Sequence, residues 1–333
     1  MRWELKSKIV PALLAVAGLS GAQAPEARQT VRDVLSNWRQ THITDDAQLG
    51  RIKGLGNRAL PTLAEFLDDK DLGSFAQWAM TEIDSFGAAH YLLLDLPHQD
   101  PSLHREAFRN ANRLIREYEL FKVAGEPKPD PTKAPPRWPS NTKPYPYAKE
   151  LHRVAVQLAF ADETRDTQVE IVQTIGLTGT RRDIPLLKKM NERYGYLGWL
   201  CTAAEARLGD RKALDEISTE LAKPTMPHPA EPEYTDHGTK IEPRPGAVVA
   251  SREDGERMRT ASWQAAFTMN RRFVPLLLAH VTDPPGQRHG DYADPSPSAV
   301  ARDALSTMIL GKEYSTYTAE DWKRWQETHR SGT

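Results

Sequence analysis

One short phrase recurs along this chain and limits what it can fold into. A Gly or Asn is followed by one or two basic residues, an aliphatic residue, then Pro and Leu. It reads Gly56-Asn57-Arg58-Ala59-Leu60-Pro61-Thr62-Leu63, then Gly179-Thr180-Arg181-Arg182-Asp183-Ile184-Pro185-Leu186-Leu187, then Asn270-Arg271-Arg272-Phe273-Val274-Pro275-Leu276-Leu277. A degenerate copy runs from Leu208-Gly209-Asp210 to Ile217, with Asp215 in the proline's place. The step from Pro185 to Asp215 is 30 residues and from Asp215 to Pro275 is 60. A period near thirty fits a helix–turn–helix unit of roughly 13 residues per helix. The phrase then reads as the turn of each unit: Gly or Asn ends the first helix in a left-handed conformation. Proline is tolerated in the first turn of the second helix, where its missing N–H had no partner to lose.

The flanking segments carry helical periodicity. Val31, Val34, Leu35 and Trp38 recur at three- and four-residue spacings, as do Val154, Leu158 and Ala159, and Val169, Val172 and Ile175. No stretch alternates apolar and polar residues long enough to read as a half-buried strand. The expectation is an all-α chain without strands. At these residues the sequence resembles the HEAT-like repeats of phycobilin-lyase-type and related bacterial proteins. The best match lies from Ala203 to Ile217, with its alanine-rich helix, Leu-Gly-Asp turn and aliphatic second helix. The resemblance covers residues 45–95, 150–223 and 256–312. It implies an α-solenoid, a right-handed stack of helix pairs whose second helices line one face. It implies no particular activity, because one fold serves many functions.

Proline divides the chain. Pro127, Pro129, Pro131, Pro135, Pro136, Pro139, Pro144 and Pro146 exclude a helix between Gly125 and Tyr147. The expected order is a signal peptide over 1–22, an N-terminal helical region with HEAT-like pairs over 25–123 and a proline-rich strap over 124–147. A repeat region over 148–315 and a C-terminal capping helix and tail over 316–333 follow. Insertions at 224–255 and 283–297 interrupt the repeats and are expected on one face. In the tail, Thr318 and Asp321 stand at capping-box spacing, and Trp322 and Trp325 are expected to face the last repeat.

The signal peptide is read from Arg2, Lys6 and Lys8, the apolar run Ile9–Leu19, and small residues up to a cleavage point after Ala22. That run is too short for a lasting membrane anchor. The expected address is secreted or periplasmic. Lys and Arg total 44 against 45 acidic residues, a balance that argues against a nucleic-acid partner. The basic pairs Arg181–Arg182, Lys188–Lys189 and Arg271–Arg272 read as solvated helix faces. Cys201 is the single cysteine, so no intrachain disulfide or cysteine-based metal cluster can form. Its neighbours Leu197, Leu200 and Ala204 place it in a helix core.

Catalytic patterns are missing from the sequence: no Gly-x-Ser-x-Gly, phosphate-binding glycine loop, His-Glu-x-x-His or Cys-x-x-Cys occurs. The absence of any His-Glu dipeptide excludes the iron site of the HEAT-like deoxyhypusine hydroxylases. Two loop clusters carry ligand-type residues: His228, Glu231, Glu233, Asp236 and His237, and then His289, Asp291 and Asp294. Neither has the spacing of a closed metal site, so no metal, cofactor or catalytic residue is assigned. The helical tryptophans Trp78, Trp199, Trp263, Trp322 and Trp325 are expected to pack in the core. The residues expected to meet a partner are Arg137, Trp138, Tyr145 and Tyr147, in or beside the strap, because exposed aromatics next to Arg are typical binding anchors. The expected function is a protein- or peptide-binding scaffold. The alternative is an enzyme or enzyme subunit acting on an exported polymer through a loop-borne His/Asp/Glu site.

Overall fold

Proline and capping side chains set where the helices begin. The computed structural model describes residues 25–42, 46–95, 101–124, 145, 147–161, 163–234, 240–289 and 292–329. The signal-peptide segment, most of the strap with Arg137 and Trp138, and Asp236, His237 and Asp291 lie outside these. The chain divides into two compact units, residues 1–110 and 111–333.

In the first unit, α1 (Pro25–Thr41), α2 (Asp46–Leu55), α3 (Leu60–Ala64) and α4 (Gly73–Asp95) enclose one apolar core. Val31, Leu35, Ile52, Leu63, Leu67 and Met80 fill it. Helix α5 (Pro101–Ala124) begins in this unit and ends in the second. The second unit continues with α6 (Ala148–Leu158), α7 (Arg165–Thr178), α8 (Ile184–Arg193), α9 (Gly198–Arg207) and α10 (Arg211–Ala222). It closes with α11 (Arg252–Thr268), α12 (Val274–Ala279), α13 (Pro297–Leu305) and α14 (Ala319–His329). Helix α7 packs on α9, α9 on α11, and α11 on α13. The intervening helices follow suit, α10 packing on α12 and α12 on α14.

The recurrent phrase is structurally one device. Each intact copy forms a 3-10 turn (Gly56–Ala59, Arg181–Asp183 or Arg271–Phe273) that runs into a helix with proline at its second residue. The degenerate copy lacks both. Asp210 caps α10 directly, its carboxylate accepting from the Lys212 and Ala213 N–H groups at 2.8 and 3.4 Å. Helix α10 therefore starts before Asp215, which lies in its second turn. The left-handed helix ending expected of each Gly or Asn holds for Gly56 (φ 57°) and Gly209 (φ 92°). It fails for Asn270, where Met269 takes that conformation (φ 54°). It fails also for Gly179, which is extended (φ −81°, ψ −172°). Glycine is needed there for space: a Cβ would lie 2.4 Å from the Ile175 carbonyl oxygen.

Strands are present, against expectation, and among the described residues all lie in the two insertions. β1 (Pro227–Pro229) pairs antiparallel with β4 (Val248–Ala250), and β2 (Glu233–Tyr234) with β3 (Lys240–Ile241). β5 (Arg288–His289) pairs with β6 (Tyr292–Ala293). They escaped the periodicity because two or three residues cannot show a period. The insertions also meet. Ala250 bridges to Gly286, and the Gln287 amide exchanges hydrogen bonds of 3.1 Å with both the N–H and the carbonyl of Glu231.

At the C-terminal end, Thr318 and Asp321 form the expected reciprocal cap, N–H to carboxylate at 2.9 Å and N–H to hydroxyl at 3.2 Å. Trp322 is fully buried among residues of α11, α12 and α13, with Trp325 partly buried beside it. Among the described residues no helix is long and apolar enough to cross a membrane.

Candidate functional site

The second unit presents a row of aromatic side chains that passes from core to surface. Gly176 on α7 lets α9 and α11 close in, since a Cβ there would meet the Ala204 Cβ at 2.9 Å and the Phe267 ring at 3.0 Å. Phe267 is buried beneath Trp263, whose ring stacks on it at 5.1 Å one helical turn earlier. Trp199 meets Trp263 edge-on at 5.0 Å and is 43% exposed. The Gln264 amide donates to the Trp199 carbonyl at 2.6 Å and ties the start of α9 to α11. Three residues before Trp199, the 3-10 turn Gly195–Leu197 presents Tyr196, which is 37% exposed. The guanidinium of Arg165, the first residue of α7, lies 4.7 Å over the Tyr196 ring.

The inner end of the row is fixed by α5. Asn112 donates to the Glu170 carbonyl and carboxylate at 3.0 Å and accepts from the Thr174 hydroxyl at 2.8 Å. Arg207 is paired with Glu119, donates to the Phe267 carbonyl at 2.5 Å and stands over the Phe267 ring with Arg116. Burial and the nearby Arg207 charge lower the Arg116 pKa. The result is a contiguous Phe267–Trp263–Trp199 stack whose outer ring faces solvent, with Tyr196, three residues before Trp199, exposed beneath the Arg165 cation.

The residues expected to meet a partner fare differently. Tyr145 is only 5% exposed, its ring edge-on to Tyr147 at 6.0 Å, and burial pushes its phenol pKa up. It is a packing residue at the foot of α6 and offers no surface anchor. Tyr147 is partly exposed at the N-cap of α6. Trp199 and Trp78 (40% exposed) are surface residues, where core positions were expected, whereas Trp322 is core. The signal for Trp199 was in the sequence. Leu197, Leu200, Cys201 and Ala204 already form the three- and four-residue stripe of α9, and all are buried. Trp199 lies off that stripe. Cys201 is an inert core thiol, its pKa pushed up to about 12 by burial and by Glu205.

The second loop cluster contributes one His–Asp pair, and His280 with Asp283, outside both clusters, forms another. His289 Nε2 lies 3.2 Å from Asp294 Oδ2; Asp294 is 6% exposed and its Oδ1 has no hydrogen-bond partner. His280 is buried between the Asp283 carboxylate, 2.5 Å from Nδ1, and the Leu221 carbonyl, 2.6 Å from Nε2. Both neighbours only accept, so both ring nitrogens carry protons. Burial disfavours that charge, but Asp283 and the Leu221 carbonyl outweigh it and raise the pKa. This charged staple, with Thr225 donating to Asp283 at 2.5 Å, joins the roots of the two insertions. His228 and Glu233 sit on β1 and β2. Among the described residues no three His, Cys, Asp or Glu side chains are grouped to hold a metal ion.

No protein-family model matches the chain, and no curated protein or solved structure matches it either.

Proposed function

We propose that the protein is an exported α-solenoid of HEAT-like helix pairs that binds a protein or peptide partner on the surface around Trp199. The side-by-side packing of α7, α9, α11 and α13, and of α10, α12 and α14 behind them, supports the solenoid reading. The observation that carries the binding reading is Trp199, almost half exposed yet clamped on Trp263. A large ring held rigid loses little conformational freedom when a partner covers it, which is the physics of an interface hot spot. Arg165 on Tyr196 extends the same chemistry by a further aromatic and a cation.

The test is affinity capture and cross-linking from the native host with the wild-type chain and a Trp199→Ala/Tyr196→Ala variant. One stoichiometric partner should be captured by the wild type and lost by the variant, while thermal unfolding of the two stays within a few degrees. Equal capture by both would remove the surface from consideration.

A second reading, an enzyme acting on an exported polymer, draws on the His289–Asp294 pair, in which a buried carboxylate orients an exposed imidazole. It predicts a hydrolytic activity abolished by His289→Ala.

A further inference from the structure

We infer that the turns opening α8, α10 and α12 form a cationic ridge that binds an extended acidic peptide segment. Each turn places two basic residues at the same point of the unit: Arg181 and Arg182, Arg211 and Lys212, Arg271 and Arg272. All six are exposed. The three turns are contiguous. The Arg181 guanidinium packs against Gly209, where an added Cβ would lie 2.9 Å from its Nε. Lys188 of α8 pairs with Asp210 at 2.9 Å, and Asp215 of α10 pairs with Arg272 at 2.9 Å. These contacts bind the second turn to its neighbour on each side.

The carboxylates in the turns are already committed. Asp183 accepts from the Thr180 N–H at 2.7 Å, and Asp210 caps α10 while holding Lys188. Arg182, Arg211, Lys212 and Arg271 form no ion pair among the described residues. A chain whose charges nearly cancel overall thus gathers unpaired cations at three adjoining turns. Pro185 and Pro275 are exposed beside them, adding apolar contact that suits a peptide better than a uniformly charged polymer.

Spacing selects the occupant. Helix α10 packs on α12, and packed helices lie about 8–10 Å apart. The Arg181–Gly209 and Lys188–Asp210 contacts bring the first turn against the second. An extended or polyproline chain rises about 3.1–3.3 Å per residue. One carboxylate at every third residue therefore meets one turn after another. The ridge shares no residue with the Trp199 surface, so loss of either binding activity leaves the other measurable.

The experiment uses fluorescein-labelled (Glu-Pro-Ala)5, an isomer with its five glutamates in one block, dextran sulfate and a 15-nucleotide single-stranded DNA. The proteins are wild type, the triple variant R182E/R211E/R271E and a control, R109E/R259E/R324E, with charges reversed elsewhere on the exposed surface. Circular dichroism checks that each is folded. The spaced peptide should bind wild type and control alike, at least ten-fold more weakly to the triple variant, and more weakly at 500 mM than at 50 mM salt. Equal affinity for the triple variant, or a block isomer as tight as the spaced one, would overturn the inference. So would tighter binding of dextran sulfate or DNA, which would assign the ridge to another class of polyanion.

Discussion

Two buried ionisable side chains make stability depend on pH in the same direction. Glu205 on α9 is 8% exposed, and burial, outweighing the nearby Lys188 charge, raises its pKa to about 7. Its folded pKa exceeds the unfolded value of 4.5, so its contribution is whole below 4.5 and lost as pH rises through about 7. Glu205→Gln should leave stability nearly unchanged at pH 4.5 and raise it by about 1–3 kcal/mol at pH 8.5. Urea unfolding at the two values checks this, and an equal difference at both would refute it. His280 behaves alike: its pKa is raised above 6.5, so the staple is fully formed below that value and lost as pH rises through the folded one. His280→Gln should be most destabilising near pH 5.5, with the deficit shrinking toward pH 9. The Asp210 carboxyl, held down by Lys188 and by the Lys212 and Ala213 amides, acts in a separate window below 3.8. None of this was legible in the sequence, which shows Glu205 in an Ala-rich helix without showing that α9 has neighbours on both sides.

Among the elements, the helix starts were written locally and the helix contacts were not. Pro61, Pro185 and Pro275 open their helices because a proline's fixed φ and missing N–H suit the first turn and nowhere later. Thr318 and Asp321 act within four residues of each other, so the last helix could be read in full. Gly176 is the opposite case. Nothing in its own helix requires glycine; the requirement comes from Ala204 and Phe267, on two other helices. Gly176→Ala should cost about 1–3 kcal/mol by overpacking, and the same change at Gly195, where a Cβ meets nothing within 4 Å, should cost under about 1 kcal/mol. Thermal and urea unfolding of the pair checks the contrast; equal losses would show that the α7–α9–α11 contact has slack.

Taken whole, the second unit depends on its terminal helix for closure. Trp322 is fully buried among Met258, Phe273, Leu277 and Leu305, its indole N–H donating to the Ser315 hydroxyl at 3.3 Å. Trp322→Ala should lower the unfolding free energy by about 3–5 kcal/mol, and a loss below about 1 kcal/mol by urea titration would mean the helix is an appendage. The two insertions show most clearly what a sequence leaves open. Both were legible as proline-rich breaks, but the Gln287–Glu231 hydrogen bonds and the Ala250–Gly286 bridge join segments tens of residues apart, and no local pattern records such a partner. The sequence by itself determined that the chain is mostly helical, where its intact repeated turns fall, and that Pro61, Pro185, Pro275 and the Thr318–Asp321 pair open their helices, because those choices are settled within one turn of backbone. Only the tertiary structure decided that Tyr145 is buried, that the insertions pair as short strands, and that the basic turns lie next to one another. Burial and adjacency belong to pairs of distant segments, and the free energy that fixes them is gained only once the helices have packed.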